Sequence, residues 1–327
     1  MQRPWLKNIP YDKRILEIGP LFKPNISKDK YKNAFYADIR STEEIKYFYK
    51  DNPDVPNDRI LNIDYIIKNS YSESFENIEK FDYIVATHVI EHIPQLISFF
   101  TDIATILNPK GKLCLSIPDK RFCLDHFRFP TSFSECYDLY TSDMKISKMR
   151  VLDNLISTSS NNDPVFWWQL PDSFKYFHDD NDRQTIAIEK YHEALKNDYI
   201  DMDIHFSVFT PESFLIFLFH MIDFYLLPFK CFEFDKTQFY TNEFNCVLEF
   251  CPNVTINKSN ENISEKQNII ELLMVNNDLS YFLHFNNRMK YNFFKLKKLI
   301  KNIKSWKILY PLKIIKKNLF HNKMVKN

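Results

Sequence analysis

Residues 14–20, with the sequence Arg-Ile-Leu-Glu-Ile-Gly-Pro, constrain the fold of this chain most strongly. The apolar run is typical of a short buried strand, and it ends at Gly19. The chain has 327 residues but only two glycines, Gly19 and Gly111. Glycine has no Cβ, so the backbone at Gly19 can turn tightly and allow close approach. The segment therefore predicts a buried strand that runs directly into a sharp turn.

A second strand-like run, residues 34–37, follows about twenty residues later and ends in Asp38. On open α/β sheets, a glycine turn after one strand and an acid ending the next hold a nucleoside, with the acid on the ribose hydroxyls. A carboxylate accepts two hydroxyl protons, which neither Asn nor Lys can do. We therefore predict Gly19, Pro20 and Asp38 as cofactor-binding residues; the alternative for Gly19 is an ordinary tight turn.

The pattern continues through residues 81–118. Phe81 to Thr87 is typical of a strand, and His88-Val-Ile-Glu-His92 is a polar loop. An apolar helix, the turn Leu107-Asn-Pro-Lys-Gly-Lys112 and a further strand come next. The dinucleotide fingerprint Gly-x-Gly-x-x-Gly is absent, and so is a Tyr-x-x-x-Lys pair in the expected region. Both absences argue against a nucleotide-sugar-modifying oxidoreductase.

With these motifs in order, the chain resembles the class I S-adenosylmethionine-dependent methyltransferases over about residues 10–120. The resemblance implies S-adenosylmethionine as cofactor, with Gly19 under its methionine part and Asp38 on its ribose. It implies that Thr87, His88 and Glu91 close the cofactor pocket. Residues 203–206 and 210–214 resemble a stretch of bacterial members linked to surface-polysaccharide clusters.

The chain departs from that family pattern in two places. Pro20 to Pro24 replace the later glycines of the first motif and stiffen the loop, and the helix after the first strand must be short or absent. The acid expected after the third strand is not evident, and Asn69 is the candidate for the adenine amino group. Glu17 either orders the loop or binds the cofactor's amino group through water; the alternative is a strand-end acid paired with a Lys.

The fold class we predict is α/β, with a doubly wound, mainly parallel, Rossmann-like sheet covered on both faces. Strands are expected at 14–18, 33–38, 59–63, 81–87 and 112–117, and helices at 41–51, at 95–107 and from Thr210. Strands at 229–234 and 245–250 should form an antiparallel hairpin at the sheet edge. The domain prediction is a methyltransferase domain at 1–252 (core 12–118 and 210–252, helical and aromatic cap insertion 119–209), then a linker and a basic amphipathic helical tail at 253–327.

The tail has a strong charge bias. Residues 288–327 hold 13 Lys and Arg and no acid, which leaves 30 basic and 42 acidic residues before them. Apolar and basic residues fall on opposite helix faces there, typical of a helix in an anionic membrane surface. The alternatives are a partner-docking helix or a solvated lysine-rich tail; no nucleic-acid partner is expected, because the body is acidic.

Composition limits the location. No start resembles a signal peptide, and no run of about 20 uncharged apolar residues indicates a spanning helix. Six cysteines form no Cys-x-x-Cys pair, so neither a disulfide framework nor a zinc knuckle is expected. Reduced thiols fit a cytosol. We expect a cytoplasmic protein, with a peripheral position on the inner membrane face if the tail binds lipid.

Three candidate catalytic histidines follow from position. His88 and His92 lie after the fourth strand, at the carboxyl edge where ligands bind. Histidine suits a general base near neutral pH; the equally weighted alternative is that Glu91 and His92 cap the next helix and shape the pocket. A metal site is weighed because His88 and His92 would share a helical face, but no further ligand is evident, so no metal is predicted. His205, with Asp203, can reach back over the pocket.

Asp119 is a further catalytic candidate, in a mixed cluster with Lys120, Arg121 and Asp125 that suits a polar substrate. The alternative is a salt-bridge cluster. Trp167 and Trp168, with Phe166 and Tyr176, offer an aromatic platform for a sugar or lipid, although core packing of the cap is the favoured interpretation.

The function predicted from these residues and from the resemblance is methyl transfer to a small polar or glycan-type acceptor. A sugar, nucleotide-sugar or lipid-linked glycan intermediate is expected, methylated on oxygen or nitrogen by in-line displacement. The alternative is a catalytically degenerate scaffold of the same fold at the membrane surface. The sequence fixes neither the acceptor atom nor the oligomeric state.

Overall fold

The computed structural model describes residues 3–169, 183–197, 203–252 and 260–276. The predicted tail helix at 288–327 and Tyr176 lie outside these residues. All described residues belong to one compact unit, which ends at Asn276.

One seven-stranded sheet organises this unit, in the order β3-β2-β1-β4-β5-β7-β6. Its strands are β1 (Ile15–Ile18), β2 (Ala34–Asp38), β3 (Tyr65–Ile66), β4 (Phe81–Thr87), β5 (Leu107–Pro118), β6 (Phe229–Asp235) and β7 (Glu243–Phe250). The first five pair in parallel, and β7 runs antiparallel between β5 and β6. The predicted parallel sheet and antiparallel edge hairpin are confirmed.

The helices of the described residues are α1 (Thr42–Phe48), α2 (Tyr71–Ser74), α3 (Leu96–Ile106), α4 (Phe133–Thr141), α5 (Lys148–Ser157), α6 (Pro164–Gln169), α7 (Arg183–Asn197), α8 (Pro211–Asp223) and α9 (Asn260–Asn276). Ser41 and Glu44 form a capping box at the start of α1. No helix in the described ranges is long and apolar enough to span a membrane. Within the predicted insertion at 119–209, the residues that the structure describes contain four helices, α4 to α7.

Alternating residues of the strands serve two cores. Leu16 of β1 belongs to a large cluster with residues of α3 and α8. Ile15 faces the opposite side, where Trp5, Ile9 and Tyr31 cover the sheet. The segments around β1 cover this second face, and residues 19–33 form turns there in place of a helix. The predicted loss of the helix after β1 is thus confirmed.

The third strand lies later than predicted. A strand was expected at 59–63, but only Tyr65 and Ile66 pair with β2. The backbone N–H of Leu61 donates to the Leu21 carbonyl, and that of Ile63 donates to the Thr42 hydroxyl. These residues are therefore bound to a loop and to α1, and the ladder with β2 begins only after them.

Helix α9 is part of the compact unit, although its first residues were predicted as a polar linker. The Glu265 carboxylate accepts the Cys231 N–H of β6 at 2.7 Å, and the Asn268 amide donates to the Cys231 carbonyl at 3.1 Å. Ile269 is fully buried. The body therefore extends to Asn276, beyond the predicted end at 252.

Ile269→Ala should lower the free energy of unfolding by about 2–5 kcal/mol, because it opens a cavity under α9. The neighbouring Ile270 is 37% exposed, so Ile270→Ala is a matched control with an expected loss below about 1 kcal/mol. Urea unfolding of both variants measures the difference. Small and equal losses would show that α9 does not pack as described.

Candidate active site

The turn after β1 has the conformation expected of its glycine. Gly19 has φ +64°, in the left-handed region that disfavours side chains, and a Cβ there would lie 3.2 Å from Val89 Cγ2. Its N–H donates to the Ala37 carbonyl at 2.9 Å. The turn is thereby fixed against the end of β2 and the loop after β4, and Pro20 is buried beside it.

The buried carboxylate of Glu17 holds the following loop. Its Oε1 accepts the backbone N–H and the side-chain amide of Asn25, both at 2.8 Å. Its Oε2 accepts the N–H of Ile26 at 2.8 Å. Burial raises the pKa of Glu17, although these hydrogen bonds and nearby Arg3 act in the opposite direction. Of the predicted roles, the ordering of the loop is the one this geometry supports.

Asp38 ends β2 next to this turn. Its carboxylate accepts the Arg40 N–H at 3.0 Å. Burial raises the pKa of Asp38 against the effect of that bond and of the Arg40 charge. Gly19 and Asp38 end neighbouring parallel strands at the same edge of the sheet, which is the arrangement that holds a ribose beside a glycine turn.

Asn69 lies near this edge but is exposed, and its amide donates to both carboxylate oxygens of Glu73 at 3.0 and 3.2 Å. Contact with an adenine would require it to leave Glu73, so this role stays a prediction. Thr87 ends β4, and its hydroxyl accepts the Asn25 amide at 3.2 Å. Thr87 is thus joined to the Glu17 loop through Asn25.

The loop after β4 does not form the helical turn that the spacing of His88 and His92 indicated. His88 has φ +52°, and its N–H donates to the Ser116 carbonyl. A 3-10 turn, Ile90–His92, follows. Both imidazoles nevertheless lie beside one carboxylate: Glu91 Oε1 is 3.6 Å from His88 Nδ1 and 3.8 Å from His92 Nε2.

His88 is held from the other side by Glu243, whose Oε2 lies 2.8 Å from Nε2. If Nε2 carries the proton in that bond, Nδ1 is the basic nitrogen. Glu243 in turn forms an ion pair with Arg3 at 2.8 Å, and Arg3 also donates to Asn25. A continuous polar chain therefore links the β1 loop to His88.

His92 and His205 meet at this edge. Their ring centroids lie 4.7 Å apart, nearly perpendicular. The N–H groups of Phe206 and Ser207 donate to the Glu91 carbonyl at 2.6 and 3.1 Å, which fixes the segment over the loop. Asp203 and His205 therefore lie against the loop after β4, and their reach over a substrate pocket stays a prediction.

A carboxylate orients each of the two imidazoles. Asp203 Oδ1 lies 3.0 Å from His92 Nδ1, and Asp125 Oδ2 lies 2.5 Å from His205 Nδ1. Burial lowers the pKa of His92, but the Asp203 hydrogen bond and the Glu91 charge outweigh it and raise the pKa to about 9. His92 is therefore protonated at neutral pH and is not suited to act as a base in this state.

Asp119 has a structural role here. It is fully buried, and it accepts hydrogen bonds from the Arg121 backbone and guanidinium and from the Thr237 hydroxyl at 2.6 Å. Its oxygens are occupied, so the catalytic role predicted for Asp119 does not fit this geometry. The salt-bridge alternative describes the cluster, in which the acids Asp119 and Asp125 are buried and the cations Lys120 and Arg121 are half-buried.

Among the aromatic residues of the predicted platform, Trp167 is a core residue and Trp168 is half-buried. Trp167 is buried and stacks on His126 with centroids 4.2 Å apart. Trp168 stacks on Phe122 at 3.9 Å and donates to the Thr241 carbonyl. A separate cavity of about 750 Å³ between α4 and α8 is lined by residues such as Phe133 and Phe224 and by none of the predicted site residues.

Three residues of the polar chain were not predicted: Arg3, Asn25 and Glu243. Glu243 had a usable signal, because the start of an antiparallel strand lies at the carboxyl edge of its parallel neighbours. For Arg3 and Asn25 the sequence carries no local signal, since each acts through contacts fixed by the fold.

These features define a nucleoside-binding α/β domain with a polar cluster beside the cofactor turn. Residues 3–215 match the family described as "Methyltransferase domain", and the chain belongs to it. Membership confirms the predicted enzyme class and S-adenosylmethionine as cofactor. No curated protein matches the chain.

Solved structures with a similar fold include three methyltransferases. One S-adenosylmethionine-dependent enzyme, from Methanosarcina mazei, has 12% identity and TM-score 0.36 over 76% of this chain and 98% of its own. Another, from Clostridium acetobutylicum, has 12% identity and a TM-score of 0.36, over 75% of this chain and 86% of its own. The CurJ carbon methyltransferase has 12% identity and a TM-score of 0.34, over 75% of this chain and 51% of its own. Values this low say nothing about the acceptor of this chain.

Glu17→Gln should lower the free energy of unfolding by about 1–3 kcal/mol, because the new amide group faces an N–H donor that then lacks an acceptor. Glu43 is exposed on α1, so Glu43→Gln removes the same charge without this effect. Urea unfolding compares the two. Equal losses would mean that the Glu17 contacts do not hold the loop.

Proposed function

We propose that the protein transfers the methyl group of S-adenosylmethionine to a hydroxyl or amine of a small polar, glycan-type acceptor. The carrying observation is the cluster of His88, Glu91, His92 and His205 directly beside the cofactor turn. Imidazoles and carboxylates at this edge suit an acceptor with several hydroxyl groups, as in a sugar, a nucleotide-sugar or a lipid-linked glycan intermediate.

In this proposal His88 is the general base. Glu243 holds its Nε2, so Nδ1 takes the proton of the acceptor hydroxyl as the oxygen attacks the methyl carbon. The new O–CH₃ bond forms as the S–CH₃ bond breaks, and the sulfonium charge is lost. The chain contributes alignment and exclusion of water. Protonated His92 serves as a hydrogen-bond donor to the acceptor, and His205 as a positioning residue at its side.

We also propose a cytoplasmic location, with the basic segment 288–327 on an anionic membrane surface. The cysteines that the structure describes form no disulfide with one another, which suits a reducing compartment. The charge of the tail suits the membrane proposal, and a lipid-linked acceptor would be presented at the same surface.

Calorimetric titration tests the cofactor site. Micromolar binding of S-adenosylmethionine and S-adenosylhomocysteine is expected, with NAD not binding. Asp38→Ala should weaken both adenosyl ligands by about tenfold to a hundredfold, because it removes charge-assisted hydrogen bonds to the ribose. Asp51, exposed after α1, supplies the control Asp51→Ala. A folded wild-type protein that binds neither ligand would favour the scaffold alternative.

Transfer of labelled methyl groups to a panel of nucleotide-sugars, polyprenyl-diphosphate-linked saccharides and simple amines tests the acceptor class. Incorporation into a saccharide is expected, and His88→Gln should slow it by about 10²- to 10⁴-fold. The affinity for S-adenosylhomocysteine should change far less. His192→Gln, on the exposed face of α7, is the control. Incorporation only into amines without sugar would overturn the glycan assignment.

A further inference from the structure

We propose that Glu91, His92 and His205 form a binding site for one divalent first-row transition-metal ion, such as Zn²⁺ or Mn²⁺. One ligand atom from each of the three residues lies within 4.8 Å of the others. The ligands come from the loop after β4 and from the segment before α8, which sequence spacing does not bring together. Sequence spacing offered no third ligand for a metal ion, and the fold supplies one in His205.

The strongest observation is the state of the Glu91 carboxylate. Glu91 is 2% exposed, and within the described part of the chain neither of its oxygens has a hydrogen-bond partner. A buried carboxylate without donors is costly unless an ion or a ligand compensates it. Its Oε1 lies 3.8 Å from His92 Nε2, so a cation between them would meet both.

The two imidazoles are oriented as metal ligands are. In metal sites the nitrogen that does not bind the ion usually donates to a carboxylate, which fixes the ring. Here Asp203 lies at Nδ1 of His92 and Asp125 at Nδ1 of His205. Each ring is left with Nε2 for an ion, and at His92 the ion would replace the proton that this nitrogen carries in the metal-free protein. Asp125 is itself fixed by Arg128 at 2.9 Å.

The backbone places these side chains firmly. The Glu91 carbonyl accepts the N–H groups of Phe206 and Ser207, directly after His205. Ligand bonds of about 2.0–2.2 Å require the three atoms to approach to roughly 3–3.5 Å of one another. The change needed is therefore a small rotation of side chains on a fixed frame.

Two imidazoles and one carboxylate select the class of ion. Imidazole suits Zn²⁺, Mn²⁺, Fe²⁺ and their neighbours, whereas Mg²⁺ and Ca²⁺ prefer all-oxygen sites. Three protein ligands leave coordination positions for other groups. The following role rests on the proposed function, and in it the ion takes over the contact with the acceptor from protonated His92: an acceptor oxygen bound there would lose its proton to His88 more readily.

The test uses the full chain after treatment with a chelator and dialysis. Mn²⁺ is titrated by electron paramagnetic resonance, with Zn²⁺ as competitor and Mg²⁺ as the hard-ion comparison. About one Mn²⁺ per chain is expected, displaced by Zn²⁺ and not by equal Mg²⁺. Glu91→Gln should weaken Mn²⁺ at least tenfold, and His192→Gln should leave it unchanged.

Asp203→Asn separates a metal site from a mere structural cluster. Asp203 has a 64% exposed side chain, so the variant should fold, and loss of its support for His92 should weaken Mn²⁺ by about 10- to 100-fold. S-Adenosylhomocysteine affinity, measured on the same samples, tests the cofactor site separately. No Mn²⁺ or Zn²⁺ binding by a wild-type protein that binds the adenosyl ligand would overturn the metal site alone; unchanged Mn²⁺ affinity in Glu91→Gln would do the same.

Discussion

The hydrogen bonds that the Glu17 carboxylate accepts from residues 25 and 26 are the interaction on which the rest of the site depends. Three N–H donors converge on one buried carboxylate, and this replaces the missing helix and glycines of the first motif. Asn25 in turn donates to the Thr87 hydroxyl and accepts a hydrogen bond from Arg3. Arg3 reaches Glu243, and Glu243 holds His88. The cofactor loop and the candidate base are therefore positioned by one network, so a disturbance at Glu17 should be felt at both.

Much of the sheet was predictable because its signals are local. Apolar runs, the glycine turn, the acid of β2 and the capping residues of α1 and α8 each lie within a few residues of what they specify. The predicted position of the third strand was wrong for a physical reason. The apolar pattern at 59–63 reports burial, but the Leu61 and Ile63 backbones are bound outside the sheet. Periodicity cannot tell which partner a backbone finds.

The site was predictable only in part. Gly19, Asp38, His88 and His92 follow strands, so their shared edge could be inferred from the parallel arrangement. Contacts such as His88 with Glu243, 155 residues apart, depend on how β7 inserts beside β5. Asp119 shows the opposite error. It also follows a strand, but Arg121 and Thr237 occupy its oxygens, and nothing in the sequence reveals that.

Glu17 and Glu91 offer a comparison within one molecule. Glu17 lies in β1 and Glu91 follows β4, the two inner strands of the parallel sheet, and both side chains are 2% exposed. Glu17 is surrounded by donors, as a structural acid must be. Glu91 forms no hydrogen bond through its carboxylate to any residue that the structure describes, and two histidines stand near it. The N–H groups of Phe206 and Ser207 donate to the Glu91 carbonyl, whereas no described donor reaches its carboxylate. The proposed metal ion would supply the close partner that this carboxylate lacks, in place of the proton on His92 Nε2, which lies 3.8 Å away.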